Sequence, residues 1–254
     1  LTVRAGVATS GSTGAFGSPN NLLDVGTTQA TVDLNGFAVG VGGLTGSGTV
    51  TNSGSAATFT AGNGNASSTF DGRLTGNLAL TKAGTGTLTL RGTANTYTLG
   101  TTVSAGTLTV TNASGSATGS GAVTVEANGT LAGTGTISGA VSVSGDLAAG
   151  TVGSVGRLTL GGGLTMMSGA ELRVDIIGPT AGTGYDQVVV TGGTANLGGA
   201  TLTINQLGGS GYTFGTRYVI LDAPANGLGG TFAGLSDGDT VAALSGLGGF
   251  PQWA

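Results

Sequence analysis

The sequence predicts an all-β chain wound as a β-solenoid, and three observations carry that prediction. A short strand returns: Gly-Thr-Leu-Thr-Leu at 86–90 comes back as Gly-Thr-Leu-Thr-Val at 106–110. A strand that recurs in this way between glycine-rich corners is the mark of one coil in a stacked-repeat fold. The 254 residues include 55 glycines and 4 prolines, yet the mean hydropathy is +0.31 and the net charge only −4. Disorder would need low hydrophobicity with high charge, and collagen would need glycine at every third position. Tight corners remain, where glycine supplies positive φ. Thr and Val fill the intervals between corners, as β-branched residues do in strands.

The elements follow in order. Leu1-Thr2-Val3 reads as a strand lacking its preceding glycine corner, so the chain is expected to be a processed product or a piece of a longer one. A glycine-rich bend leads to Asn21-Leu22-Leu23-Asp24-Val25. At Thr31, Val32, Asp33 and Leu34 the alternation puts Val32 and Leu34 on one face, and Asn35-Gly36 is a turn signal. Thr58-Phe59-Thr60, a Gly-Asn-Gly-Asn corner, Thr69-Phe70 and Asn77-Leu78-Ala79-Leu80 come next. Residues 87–90, a polar turn holding Asn95 and Tyr97, then 101–103 and 107–110 form the central stretch. A Gly-x-(Leu/Val)-(Thr/Ser)-(Leu/Val) beat starts at Gly86, Gly106, Gly121, Gly139 and Gly156, predicting coils of roughly 15–22 residues. About a dozen coils about 4.8 Å apart would make a rod about 55–60 Å long, with Leu, Val, Ile and Phe inside and Thr, Ser and Asn outside. From Gly169 the texture is longer-stranded, more charged and richer in aromatics. Residues 1–168 are therefore expected to be coils, and 169–254 the last coils with a C-terminal cap over the open core.

The central stretch, Leu80-Thr-Lys-x-Gly-x-Gly-Thr-Leu-Thr-Leu-x-Gly-x-x-Asn-Thr-Tyr-Thr followed by Gly-Thr-Thr-Val-x-x-Gly-Thr-Leu, resembles the passenger-associated transport repeat. That repeat belongs to the β-helical passenger regions of bacterial autotransporters and of autotransporter-associated β-strand proteins. The motif covers 80–110; the looser style of the family, including Tyr185-Asp-x-Val-x-Val and Gly230-Thr-Phe-x-Gly-Leu, covers most of the chain. The family form places glycine directly after Asn-Thr-Tyr-Thr, whereas Leu99 precedes Gly100 here and predicts a slightly longer corner. The resemblance implies a right-handed parallel β-helix, three-sheeted, with a C-terminal cap. Strands with the lipid-facing alternation and aromatic girdles of an outer-membrane barrel are not read in the sequence.

Composition excludes several chemistries. With no His and no Cys, a histidine triad, a thiol nucleophile, a histidine or thiolate zinc site and a disulfide framework are ruled out. Seven scattered cations form no basic run, so no nucleic-acid partner is expected. No apolar run is long enough for a membrane-spanning helix. Carboxylates remain, because β-helices also host polysaccharide lyases and glycosidases. Glu171 and Asp175 share one side of a strand but lie about 13 Å apart, too far for a glycosidase pair. Asp237-Gly238-Asp239 has the chemistry of a calcium-binding turn but is also a common turn sequence. Gly161-Gly162-Gly163 lacks the Gly-Lys-Ser/Thr of a phosphate loop and reads as a corner. Tyr185, Tyr212, Phe214, Tyr218, Phe232, Phe250 and Trp253 read as packing under a cap ahead of sugar stacking. Asn65, Asn112 and Asn128 stand in glycosylation-acceptor patterns.

No catalytic, cofactor-binding or metal-ligating residue and no cofactor is expected. The function expected is structural: a non-catalytic bacterial rod, extracellular or at the cell surface, serving as stalk, adhesive passenger or self-assembling fibre subunit. Its partners would be copies stacked end to end, neighbouring parts of a longer surface protein, or surface glycans. The alternative is a β-helix module that binds or cleaves polysaccharide, for which three or more acids gathered on one face would be the sign.

Overall fold

The computed structural model describes residues 1–93, 95–151, 153–208 and 216–236. Every regular element in them is a strand, and the named strands all pair in parallel across successive coils. The strands sort into three faces. The first stacks Thr2–Val3, Leu22–Val25, Gly43–Gly46, Ser68–Phe70, Thr87–Leu90, 107–110, 130–133, Asp146–Ala149, Glu171–Ile176 and Thr201–Gln206. The second begins with Gly6–Thr9, Ala30–Asp33, 49–52 and 73–76. It resumes as Thr136–Ile137, Arg157–Leu160, Gln187–Val190 and Leu221–Asp222. The third runs from Val39–Val41 through 57–61, 78–82, 101–103 and 123–125 to Val141–Val143, Leu164–Met166, Ala195–Asn196 and Leu228–Gly229. The fold is a parallel β-solenoid with three strands per coil.

The strand return read from the sequence is one coil. Thr87, Leu88, Thr89 and Leu90 lie directly beside Thr107, Leu108, Thr109 and Val110. Inward positions stack like on like: Leu88, Leu108, Leu131, Leu147, Leu172 and Leu202 follow one another in register. Each buried leucine contributes about 1.5–3 kcal/mol. Where Gly46 leaves a gap in the neighbouring row, its register partner is the fully buried Phe70. Val32 and Leu34 are buried as the alternation predicts, and Asn35 and Gly36 both take positive φ, 49° and 84°.

Corners explain the glycine. Gly84 and Gly106 have φ of 66° and 61°, and they stack on one another's backbone. A Cβ on Gly84 would sit 2.0 Å from the Gly62 carbonyl oxygen, and one on Gly106 would sit 2.5 Å from that of Gly84. Coils about 4.8 Å apart leave no room for a side chain there.

Two expectations are corrected. The glycine beat does not mark one row: Gly86 and Gly106 open strands of the first face, Gly121 and Gly139 lead into the third, and Gly156 into the second. Similar corner chemistry recurs on every face of a coil, so neighbouring hits can belong to different faces. Coil length also varies more than expected. The register steps from Thr130 to Asp146 in a short coil, but from Glu171 to Thr201 and from Val188 to Leu221 in much longer ones. Ten strands stack on the first face among the described residues, a rise of about 43 Å rather than about 55–60 Å. Among the described residues the last coils carry the longer excursions between strands.

Candidate functional site: the central repeat and the threonine cleft

Residues 80–110 supply one coil and the start of the next, and several of their polar positions lie inside the rod. Asn95 and Tyr97, expected in a polar turn, are buried, 5% and 0% exposed. Asn95 stands where the second face lacks a strand. Its Oδ1 accepts the Leu74 N–H at 2.7 Å, and its Nδ2 donates to the Ala117 carbonyl at 2.7 Å. One amide thereby joins the coil before it to the coil after it, replacing strand hydrogen bonds with a side chain. Thr96 N–H adds a bond to the Leu74 carbonyl. The Tyr97 hydroxyl shares a 2.5 Å hydrogen bond with Thr101 Oγ1. Burial pushes the phenol's pKa up, against the pull of that bond.

Lys82 occupies an inward position of the third face, in the row of Ala61 and Val103. Its residue exposure is 0%. The Nζ donates to the carbonyls of Ala83 at 2.7 Å, Gly84 at 2.9 Å and Ala105 at 3.0 Å. Burial pushes the ammonium down to about 8. Three carbonyl dipoles satisfy its three donors, so a cation is held in the wall of the core without a carboxylate. The long stem reaches the corner where Gly84 and Gly106 meet, and that reach is why a lysine fits an inward position. Alternation alone places Lys82 inward; what it does there needs the neighbouring coil. Leu99 projects outward, 46% exposed, and Gly100 turns the chain with φ 94°. The corner is longer, as expected: Leu90 to Thr101 is 11 steps along the chain (101 − 90), where their register partners Phe70 and Leu80 are 10 apart (80 − 70).

The outer side of the first face carries a threonine grid. Thr69, Thr89 and Thr109 are in register, and so are Thr87 and Thr107. Together with Arg91, Thr111, Ala113 and Thr151 they line a cleft of about 620 Å³. Arg91 lies 3.9 Å from Asp71, with both side chains more than half exposed, a pairing that solvent leaves weak.

The acids weighed in the sequence separate. Glu171 and Asp146 are register partners, and Arg173 Nη2 spans them at 3.1 and 3.0 Å. Asp175 is buried instead beside Asp186, and its Oδ1 accepts from Asn205 Nδ2 at 3.1 Å. Asp186 accepts N–H bonds from Gly156 at 2.7 Å and from Asp175 at 2.9 Å, tying the end of the Glu171–Ile176 strand to the corner before Arg157. Burial above all, with the nearby Asp175 charge, pushes its pKa up to about 7 in spite of those bonds. Among the described residues no three His, Cys, Asp or Glu side chains gather as a metal site would require. Gly161 to Gly163 form a corner between strands, with Gly163 at φ 98°. Tyr185 and Tyr218 pack edge to face at 5.1 Å, and Phe232 packs against the core. Asn112 is buried, its Nδ2 bound to the carbonyls of Ser114 and Gly115, while Asn128 is exposed. Asp237-Gly238-Asp239, Tyr212, Phe214, Phe250 and Trp253 lie outside the described residues.

Fold and repeat together define a β-helical rod whose coils are locked from within by polar side chains. Residues 80–110 match the family model of the passenger-associated transport repeat, so the chain carries an autotransporter-passenger type of β-helical segment. No curated protein matches the chain at a significant level.

Proposed function

We propose that the chain is a non-catalytic structural rod of a bacterial surface or extracellular protein, acting as stalk, adhesive passenger or fibre subunit. The observation that supports this is the run of parallel ladders through the described coils, with the gap in the second face bridged by Asn95 and the adjoining corner held by Lys82. Each coil depends on its neighbours, which suits a load-bearing spacer. Cations are few and dispersed, which argues against nucleic acid as a partner. Among the described residues Thr2–Val3 and Gly6–Thr9 pair on one side only. The partners proposed are copies stacked end to end or neighbouring parts of a longer surface protein.

Two measurements test the reading. Protease accessibility on intact cells should find the chain outside, and cryo-electron microscopy of native material should show rods or axial stacks of them. A chain confined to the cytoplasm, or one that cleaves polysaccharide, would overturn it.

A further inference from the structure

The cleft on the first face has the makings of a binding site. Its floor is Thr-x-Thr from successive coils, with Thr69, Thr89 and Thr109 in one row and Thr87 and Thr107 in the next. Rows are spaced about 4.8 Å between coils and about 6.6 Å along a strand. Ala113 and Thr151 lie outside those strands and add to the lining. Two hydroxyls have no protein partner. Thr109 is 5% exposed and makes no hydrogen bond through its side chain, and Thr111 Oγ1 is shielded and unpartnered. A buried hydroxyl is normally satisfied; Thr111 Oγ1 is not, and it belongs to the cleft.

We propose that this cleft binds an acidic polysaccharide, an extended chain of uronic-acid sugars running across the coils. Threonine hydroxyls meet the ring hydroxyls, and threonine methyls cover the C–H faces of the sugars. Among the described residues Arg91 is the only charged one in the lining, and no acid faces it from within the cleft. Its ion pair with Asp71 is loose, which leaves guanidinium donors for a sugar carboxylate. A nucleic acid would need more than one cation, and an apolar peptide would need large apolar side chains, which the lining lacks. The spacing between coils is close to the advance of one pyranose along an extended chain. The inference rests on the reading of the chain as an exposed, non-catalytic rod.

The test is calorimetric titration of the full chain with oligo-alginate, with malto-oligosaccharide as the uncharged control. Saturable alginate binding is expected. Thr109→Val, which keeps the shape and removes the hydroxyl, should weaken it about tenfold, the size of one lost hydrogen bond. Arg91→Gln should abolish the preference for alginate over the neutral oligomer. Circular dichroism establishes that each variant folds, and Thr89→Val replaces Thr109→Val if the latter does not. No saturable binding, equal binding of the neutral oligomer, or indifference to both variants would overturn the proposal. Shortening of the alginate during the titration would instead overturn the non-catalytic reading, while absence of binding by an intact surface rod would remove the cleft alone.

Discussion

Replacing Asn95 with alanine is the sharpest probe of how the rod is locked. The amide makes two buried hydrogen bonds, one to the coil before and one to the coil after, each 2.7 Å long. Truncation strands the Leu74 N–H and the Ala117 carbonyl where neither water nor an adjacent strand reaches them. A buried polar group left unmade costs about 1–3 kcal/mol, so Asn95→Ala should cost about 2–6 kcal/mol. Equilibrium unfolding in guanidinium, followed by circular dichroism, measures it as a fall in midpoint. Amide exchange at Leu74 locates it, because that N–H should lose protection before amides of distant coils. Asn128→Ala is the control: Asn128 is exposed, and surface substitutions stay within about 0.5 kcal/mol. If Asn95→Ala unfolds at the parent midpoint and Leu74 keeps its protection, the amide is not a lock and the reasoning fails.

Gly84→Ala should destabilise by at least about 2 kcal/mol, since it combines a left-handed backbone with a Cβ set against the Gly62 carbonyl. Gly11→Ala, which meets nothing within 4 Å, should leave the thermal midpoint in place, and equal shifts in the two would refute the corner argument. Lys82 gives up its proton at about 8 in the folded chain against 10.5 in the unfolded one. The unfolded state therefore holds the extra proton between those values, and stability should rise from about pH 8 to 10.5, with Lys82→Met abolishing the slope. Asp186 runs the other way: it holds its proton up to about 7 when folded against 3.8 when unfolded. Stability should rise as pH falls from about 7 to 3.8, and Asp186→Asn should flatten that limb in pH-dependent guanidinium titrations. A profile flat across both windows would count against both burial arguments.

Much of the architecture was legible because its causes are local. Alternation at 87–90 and 107–110, the Asn35-Gly36 turn and the glycine corners depend on close neighbours in the chain, and the return of a strand with like inward side chains predicts stacking. The resemblance carried by 80–110 pointed to the same fold. What the sequence read less well was which glycine corner serves which face, since corners with one chemistry serve all three and only the pairing register tells them apart. Asn95 and Tyr97 read as a polar turn in the sequence, which carries no sign of their burial. The neighbouring coils bury them, and for Asn95 they offer backbone partners one coil back and one coil on. Asp175 and Asp186 are brought together by an excursion whose path no periodicity encodes. The threonine cleft depends both on strands stacked in register and on residues outside those strands that join its lining. The chain's own chemistry thus determined strand, corner and inward row, all short-range matters. The stacking of coils decided the buried amide, the buried cation and the cleft, because each is made of groups that meet only across that stack.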